Sequence, residues 1–141
     1  MHSFRLLVVV LTLAASTACS NSVDLADPNV IANELPGTWS RIIAPGGSTV
    51  LQLTVHDSTI TGTGTFAGEA GPSGTLSVSG TIATGNFGPL VKIDFAQDNG
   101  PVGHFAGSLT TADTLYGSVW YTATGFGNSD PIPATFTRTS P

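Results

Sequence analysis

The stretch Ser58-Thr59-Ile60-Thr61-Gly62-Thr63-Gly64-Thr65-Phe66-Ala67 decides the fold class. Every second residue from Thr59 to Thr65 is threonine, and the residues between and after them are Ile60, Gly62, Gly64 and Phe66. A period of two places these sets on opposite faces of a β-strand, and β-branched threonine suits the pleat of that strand. Gly74 to Thr84 repeats the pattern, with Leu76, Val78, Gly80 and Ile82 opposite Thr75, Ser77, Ser79 and Thr81. The hydroxyl rows Thr59, Thr61, Thr63, Thr65, Ser77 and Ser79 are therefore expected to face solvent, with the apolar rows turned to a core.

Six further runs alternate in the same way: Thr38 to Ile43, Thr49 to His56, Leu90 to Gln97, Gly103 to Thr111, Thr114 to Ala123 and Ile132 to Thr139. Between the runs lie turn-forming clusters such as His56-Asp57-Ser58, Gly85-Asn86-Phe87-Gly88 and Asp98-Asn99-Gly100-Pro101. Short connections pair neighbouring strands antiparallel. Eight such strands predict an all-β, up-and-down antiparallel barrel, which hides its edges by closing. A β-sandwich is the alternative, but it needs a long crossing connection. Glycines inside the runs, at 62, 64, 80, 107 and 117, permit the coiling that closure requires. Ahead of the strands, Asp27 suits a helix N-cap, Pro28 the first helical position, and Val30, Ile31 and Leu35 one apolar face. This predicts a short helical turn ended by Pro36-Gly37.

Composition narrows the function. The 141 residues suit one domain. Charged residues make up only 9%, against about 25% in a typical soluble domain, while 20 Thr and 14 Ser supply the polarity. With 4 Lys+Arg against 9 Asp+Glu, there is no basic stripe to neutralise phosphates, so nucleic-acid binding is excluded. The abundance of β-branched residues also argues against a disordered chain.

The first residues read as a leader. A positive charge at Arg5 precedes an apolar run from Leu6 to Leu13 and the small residues Ala14 to Ala18. These are the three parts of a signal peptide, residues 1–18. The apolar run is shorter than the roughly 18 residues that span a bilayer. Ser16-Thr17-Ala18-Cys19 resembles the lipobox of bacterial lipoproteins, with Ser16 standing where that family usually has Leu. The resemblance implies that Cys19, the only cysteine, becomes an acylated N-terminus anchoring the protein to a membrane. Ser20 in the next position then implies the outer membrane of a two-membrane cell. The alternative is ordinary cleavage after Ala18, which leaves Cys19 a free thiol and the protein periplasmic or secreted. Residues 19–36 form the lipidated start, tether and helical turn, and residues 37–141 the barrel.

Gly37-Thr38-Trp39 at the start of the first strand, together with Arg138 in the last, resembles the calycin superfamily of lipocalins, avidins and fatty-acid-binding proteins. In that superfamily a tryptophan packs beneath a basic side chain to close the barrel floor, which implies this role for Trp39 and Arg138. Arg41 shares the face of Trp39 and is a second candidate for the stacked cation. With only two tryptophans, Trp39 and Trp120, the biotin-type tryptophan set of avidins does not carry over.

The functional expectation is a cell-envelope lipoprotein whose lipocalin-like barrel binds a small apolar ligand or an envelope protein partner. Phe66, Phe95, Phe105, Val119 and Phe136 are the candidate ligand lining, and Tyr116, Trp120 and Phe126 the candidate partner surface. The alternative is a structural or adhesive lipoprotein whose interior is packed shut, since eight strands make a barrel just wide enough to fill. No enzyme, metal or cofactor is expected. His56 and His104 lack metal-ligand spacing, and Asp94 and Asp113 read as isolated. A lipid-embedded barrel, apolar side outward, would need strands of about 9–11 residues and aromatic girdles; the runs read as shorter than that, and no girdles recur in the sequence.

Overall fold

The computed structural model describes residues 23–43, 46–68, 73–98, 100–123 and 127–141. Residues 1–18, expected from sequence to be a signal peptide, lie outside them, as do Cys19 and Phe126. The first element is helix α1, Pro28–Glu34. Its N-cap is Asp27, whose carboxylate accepts from the Asn29 N–H at 2.8 Å, and Pro28 sits where a missing donor costs nothing.

The strands are β1 (Gly37–Ile43), β2 (Gly47–His56), β3 (Thr59–Ala67), β4 (Gly74–Gly85), β5 (Gly88–Ala96), β6 (Val102–Thr111), β7 (Thr114–Ala123), the two-residue β8 (Gly127–Asn128) and β9 (Ile132–Ser140). Each of β1 to β7 pairs antiparallel with the next, β7 pairs with β9, and β9 pairs with β1. The sheet is therefore an eight-stranded closed antiparallel barrel, and β8 is a short addition on the last connection, paired to the end of β7.

Alternation does what the sequence predicts. Ile60 is fully buried, and Thr59, Thr61, Thr63 and Thr65 are exposed, as are Ser77 and Ser79 between Leu76, Val78 and Ile82. Strands β2 to β7 and β9 run 9–12 residues, longer than the sequence suggested, because pairing extends into the turn residues. Orientation therefore separates this barrel from a lipid-embedded one: the apolar rows of all eight long strands meet inside, and the outer surface carries hydroxyl rows where such a barrel would carry an apolar band.

Closure at this radius forces backbones together. Gly107 and Gly117 face each other in the β6–β7 register. A Cβ on Gly107 would stand 2.3 Å from the Tyr116 carbonyl oxygen, and one on Gly117 2.2 Å from that of Ala106. Gly37, at φ +132° where β1 begins, would bring a Cβ within 2.6 Å of the Ser140 carbonyl oxygen. Only glycine fits where the first strand meets the last.

The two ends of the barrel differ. At the end that holds the β2–β3, β4–β5 and β6–β7 turns, α1 packs against β2 and β4 and drives Ile31 and Leu35 into the core. Trp39, also without exposure, lies beside them. Above this layer Phe105 and Phe136 meet edge to face, their ring centroids 5.5 Å apart. This half of the interior is packed.

Candidate functional site

Among the described residues, the opposite end is not filled. A cavity of about 330 Å³ opens there, lined mainly by apolar atoms. Its walls come from the strand ends gathered at that end. Ile43 belongs to β1, Gly47 and Thr49 to β2, Phe66 to β3, Leu76 to β4, Phe95 to β5, Gly103 to β6 and Tyr121 to β7. Phe95 and Tyr121 meet edge to face at 6.2 Å between centroids, which fixes part of the wall.

Five phenylalanine and valine positions are the lining expected from sequence, and the structure divides them. Phe66 and Phe95 line the cavity. Phe105, Val119 and Phe136 do not: they are 1%, 0% and 1% exposed and belong to the packed half. All five point inward, so alternation could not separate them. What separates them is height along the barrel, which depends on strand stagger.

At the α1 end, the Arg138 guanidinium carbon lies 4.9 Å from the Trp39 ring centroid. Trp39 Nε1 donates to the Leu35 carbonyl at 2.8 Å, and Arg138 Nη1 donates to the Pro36 carbonyl at 3.2 Å. Asp113 Oδ1 is 3.4 Å from Arg138 Nε, close enough for charge attraction although that N–H is not aligned into a hydrogen bond. Asp113 is thus not isolated, as the sequence alone had it. The cation over Trp39 is Arg138 and not Arg41.

Arg41 instead occupies the inward face of β1 between Trp39 and Ile43. It is 6% exposed, and its Nη1 is buried without a hydrogen-bond partner. Among the described residues no carboxylate lies within 4 Å of it.

The outer wall carries a second cluster that sequence reasoning missed. Asp94 and His104 are directly opposed in the β5–β6 register, and Asp94 Oδ1 lies 2.7 Å from His104 Nδ1. His104 Nε2 is 3.0 Å from Thr122 Oγ1, which in turn donates to Asn128 Oδ1 at 2.8 Å. The imidazole stacks on Trp120 at 5.3 Å. Asp94 is therefore not isolated either. The signal that could have found the cluster is register: pairing β5, β6 and β7 as hairpins puts Asp94, His104 and Trp120 in one cross-strand row.

Of the expected partner surface, Tyr116 is 54% exposed, Trp120 is half-buried against His104, and Phe126 is outside the described residues. Tyr116 and Trp120 share the outer face of β7 but stand four residues apart, roughly 13 Å of strand. His56 and Asp57 touch at 3.1 Å on an exposed turn, 92% and 88% exposed. No group of three metal-ligating side chains occurs among the described residues.

No protein-family model and no curated protein matches this chain. Its function must be read from its own geometry.

Proposed function

We propose that this protein is an exported, lipid-anchored binding module that holds a small, largely apolar ligand in the open end of its barrel. The observation that carries this reading is the cavity of about 330 Å³ at the end opposite α1. It lies within the range of small-molecule sites, concave and apolar with a few polar groups. The packed half beneath it supplies a rigid base, so the cavity walls are held in place before a ligand arrives. A barrel packed along its whole length, the structural or adhesive alternative, would have no such space.

The anchor rests on the leader and on Cys19. Acyl chains on Cys19 would hold the barrel at a membrane, with Ser20 favouring the outer membrane and the residues before α1 acting as a short tether. The calycin likeness rests on Gly37, Trp39 and Arg138 together with the closed meander.

Native mass spectrometry of the protein made in its own host tests the binding reading. A co-purified small molecule that is released on unfolding is expected, and a bare polypeptide mass would overturn the reading. The same preparation reports the N-terminus: an acylated Cys19 is expected, and an unmodified Cys19 or Ser20 would remove the anchor.

A further inference from the structure

We propose that a groove on the outer wall of the barrel is a second binding site, one that seats a unit of a neutral polysaccharide built of pyranose rings with equatorial hydroxyls. The groove holds about 430 Å³. It lies between the outward side chains of Ser79 and Thr81 on β4, Lys92 and Asp94 on β5, and Trp120 on β7. Ala106 on β6, with a single methyl group, forms part of its floor. The site is separate from the cavity and does not depend on it.

The aromatic side of the groove is fixed in advance. His104 is tied at both ring nitrogens, to Asp94 at 2.7 Å and to Thr122 at 3.0 Å. Trp120 stacks on that imidazole with 5.3 Å between centroids and 22° between planes. Solvent-exposed contacts of this kind add little to stability, so the fold itself does not call for the arrangement. For a ligand it matters, because an indole already held in one orientation loses little freedom on binding.

Charge and hydrogen bonding choose the class of ligand. Lys92 joins no ion pair among the described residues, and Asp94 commits Oδ1 to His104, which leaves Oδ2 as an acceptor. The two stand roughly 7 Å apart on one strand face, so their fields oppose and the groove favours neither an anion nor a cation. Neighbouring hydroxyls of a sugar both donate and accept. They match an ammonium that only donates, a carboxylate that only accepts, and the Ser79 and Thr81 hydroxyls that do both. A pyranose with equatorial hydroxyls turns its C–H bonds to the ring faces, apolar and weakly positive, which suits the negative face of an indole. A peptide strand would need a free sheet edge, and β4 to β7 are each paired on both sides. The groove lies on an open wall, so a chain can run past it with one unit seated.

NMR titration of the purified chain with cellotetraose tests the site, with sorbitol as the comparison because it carries hydroxyls without a ring face. Cellotetraose should shift the Trp120 indole N–H and the His104 ring signals and leave the buried Trp39 indole unmoved. Sorbitol should shift none of them. Trp120→Ala should weaken cellotetraose binding about tenfold, the worth of one aromatic contact, and Asp94→Ala should weaken it too. Tyr116→Ala, on the same face of β7 but outside the groove, should leave it unchanged. Absence of shifts with cellotetraose, or shifts that gather on Phe66 and Tyr121 at the cavity, would overturn the proposal. Equal shifts with sorbitol would overturn the role of the indole face. Should Trp120→Ala fail to fold, the pattern of shifts in the unaltered chain decides by the same criteria. Failure here leaves the cavity reading standing, since the cavity residues report separately.

Discussion

Arg138 covers the face of Trp39 at 4.9 Å, and the two side chains also bind consecutive carbonyls of the α1–β1 junction, Trp39 that of Leu35 and Arg138 that of Pro36. First strand, last strand and helix are thereby joined at one point. A large aromatic with no exposure fills space that nothing else can fill. Trp39→Ala should therefore cost about 3–5 kcal/mol in urea unfolding. Arg138→Met keeps most of the volume and should cost about 1–2 kcal/mol through the lost cation–π contact and hydrogen bond. A loss below about 0.5 kcal/mol for Trp39→Ala would contradict the closing role of this residue.

Helix α1 is only seven residues long, too short to persist without help. Its burial of Ile31 and Leu35 and its cap at Asp27 must hold it together. Asp27→Ala removes the acceptor for the Asn29 N–H and should lower stability by about 1 kcal/mol. Asp27→Ser should recover most of that loss, which circular dichroism during thermal unfolding can follow.

The glycine pair at 107 and 117 has no room for a methyl group, because the nearest atom to each is a backbone carbonyl oxygen, which cannot rotate away. Either Gly107→Ala or Gly117→Ala should destabilise the barrel by about 1–3 kcal/mol or more. Thr63→Ala on the exposed face, made as a control, should stay within about 0.5 kcal/mol. Equal effects at the two kinds of site would mean that the β6–β7 approach is looser than it stands.

The strand pattern was legible because each strand buries one face only. Period-two alternation then encodes in from out, and the turn residues encode the hairpins. Thr59 to Phe66 shows both. The site was less legible, for reasons of the third dimension. Phe66 and Phe105 are both inward aromatics, and nothing in their local sequence states that one faces a cavity and the other a packed core. Asp94 and His104 lie ten residues apart and meet only once β5 and β6 are in register. Arg41 and Arg138 both point inward. Which of them stacks on Trp39 is set by the closure of β9 on β1, a pairing between opposite ends of the barrel sequence.

On the outer wall, Asp94 is 58% exposed on its side chain, so solvent screens its attraction to His104. Asp94→Asn should change stability by less than about 1 kcal/mol. His104→Ala removes the stacked ring as well and exposes Trp120, which should shift the indole emission to longer wavelength. If Asp94→Asn cost as much as a core substitution, the row would be a structural clamp and not a surface feature.

The strongest test of a two-part interior compares two phenylalanines that sequence cannot tell apart. Phe105 is 1% exposed and packed edge to face on Phe136, so Phe105→Ala leaves a void with close-packed walls. It should cost about 3–5 kcal/mol. Phe66 already borders empty space, and truncating it enlarges an existing cavity instead of creating one. Fewer contacts are lost, so Phe66→Ala should cost nearer 1 kcal/mol. It should also widen the range of ligands accepted, since the wall recedes by a ring. Denaturant unfolding of both variants side by side measures the contrast. Equal losses would mean that the upper barrel is as tightly filled as the lower, and a ligand would have nowhere to enter.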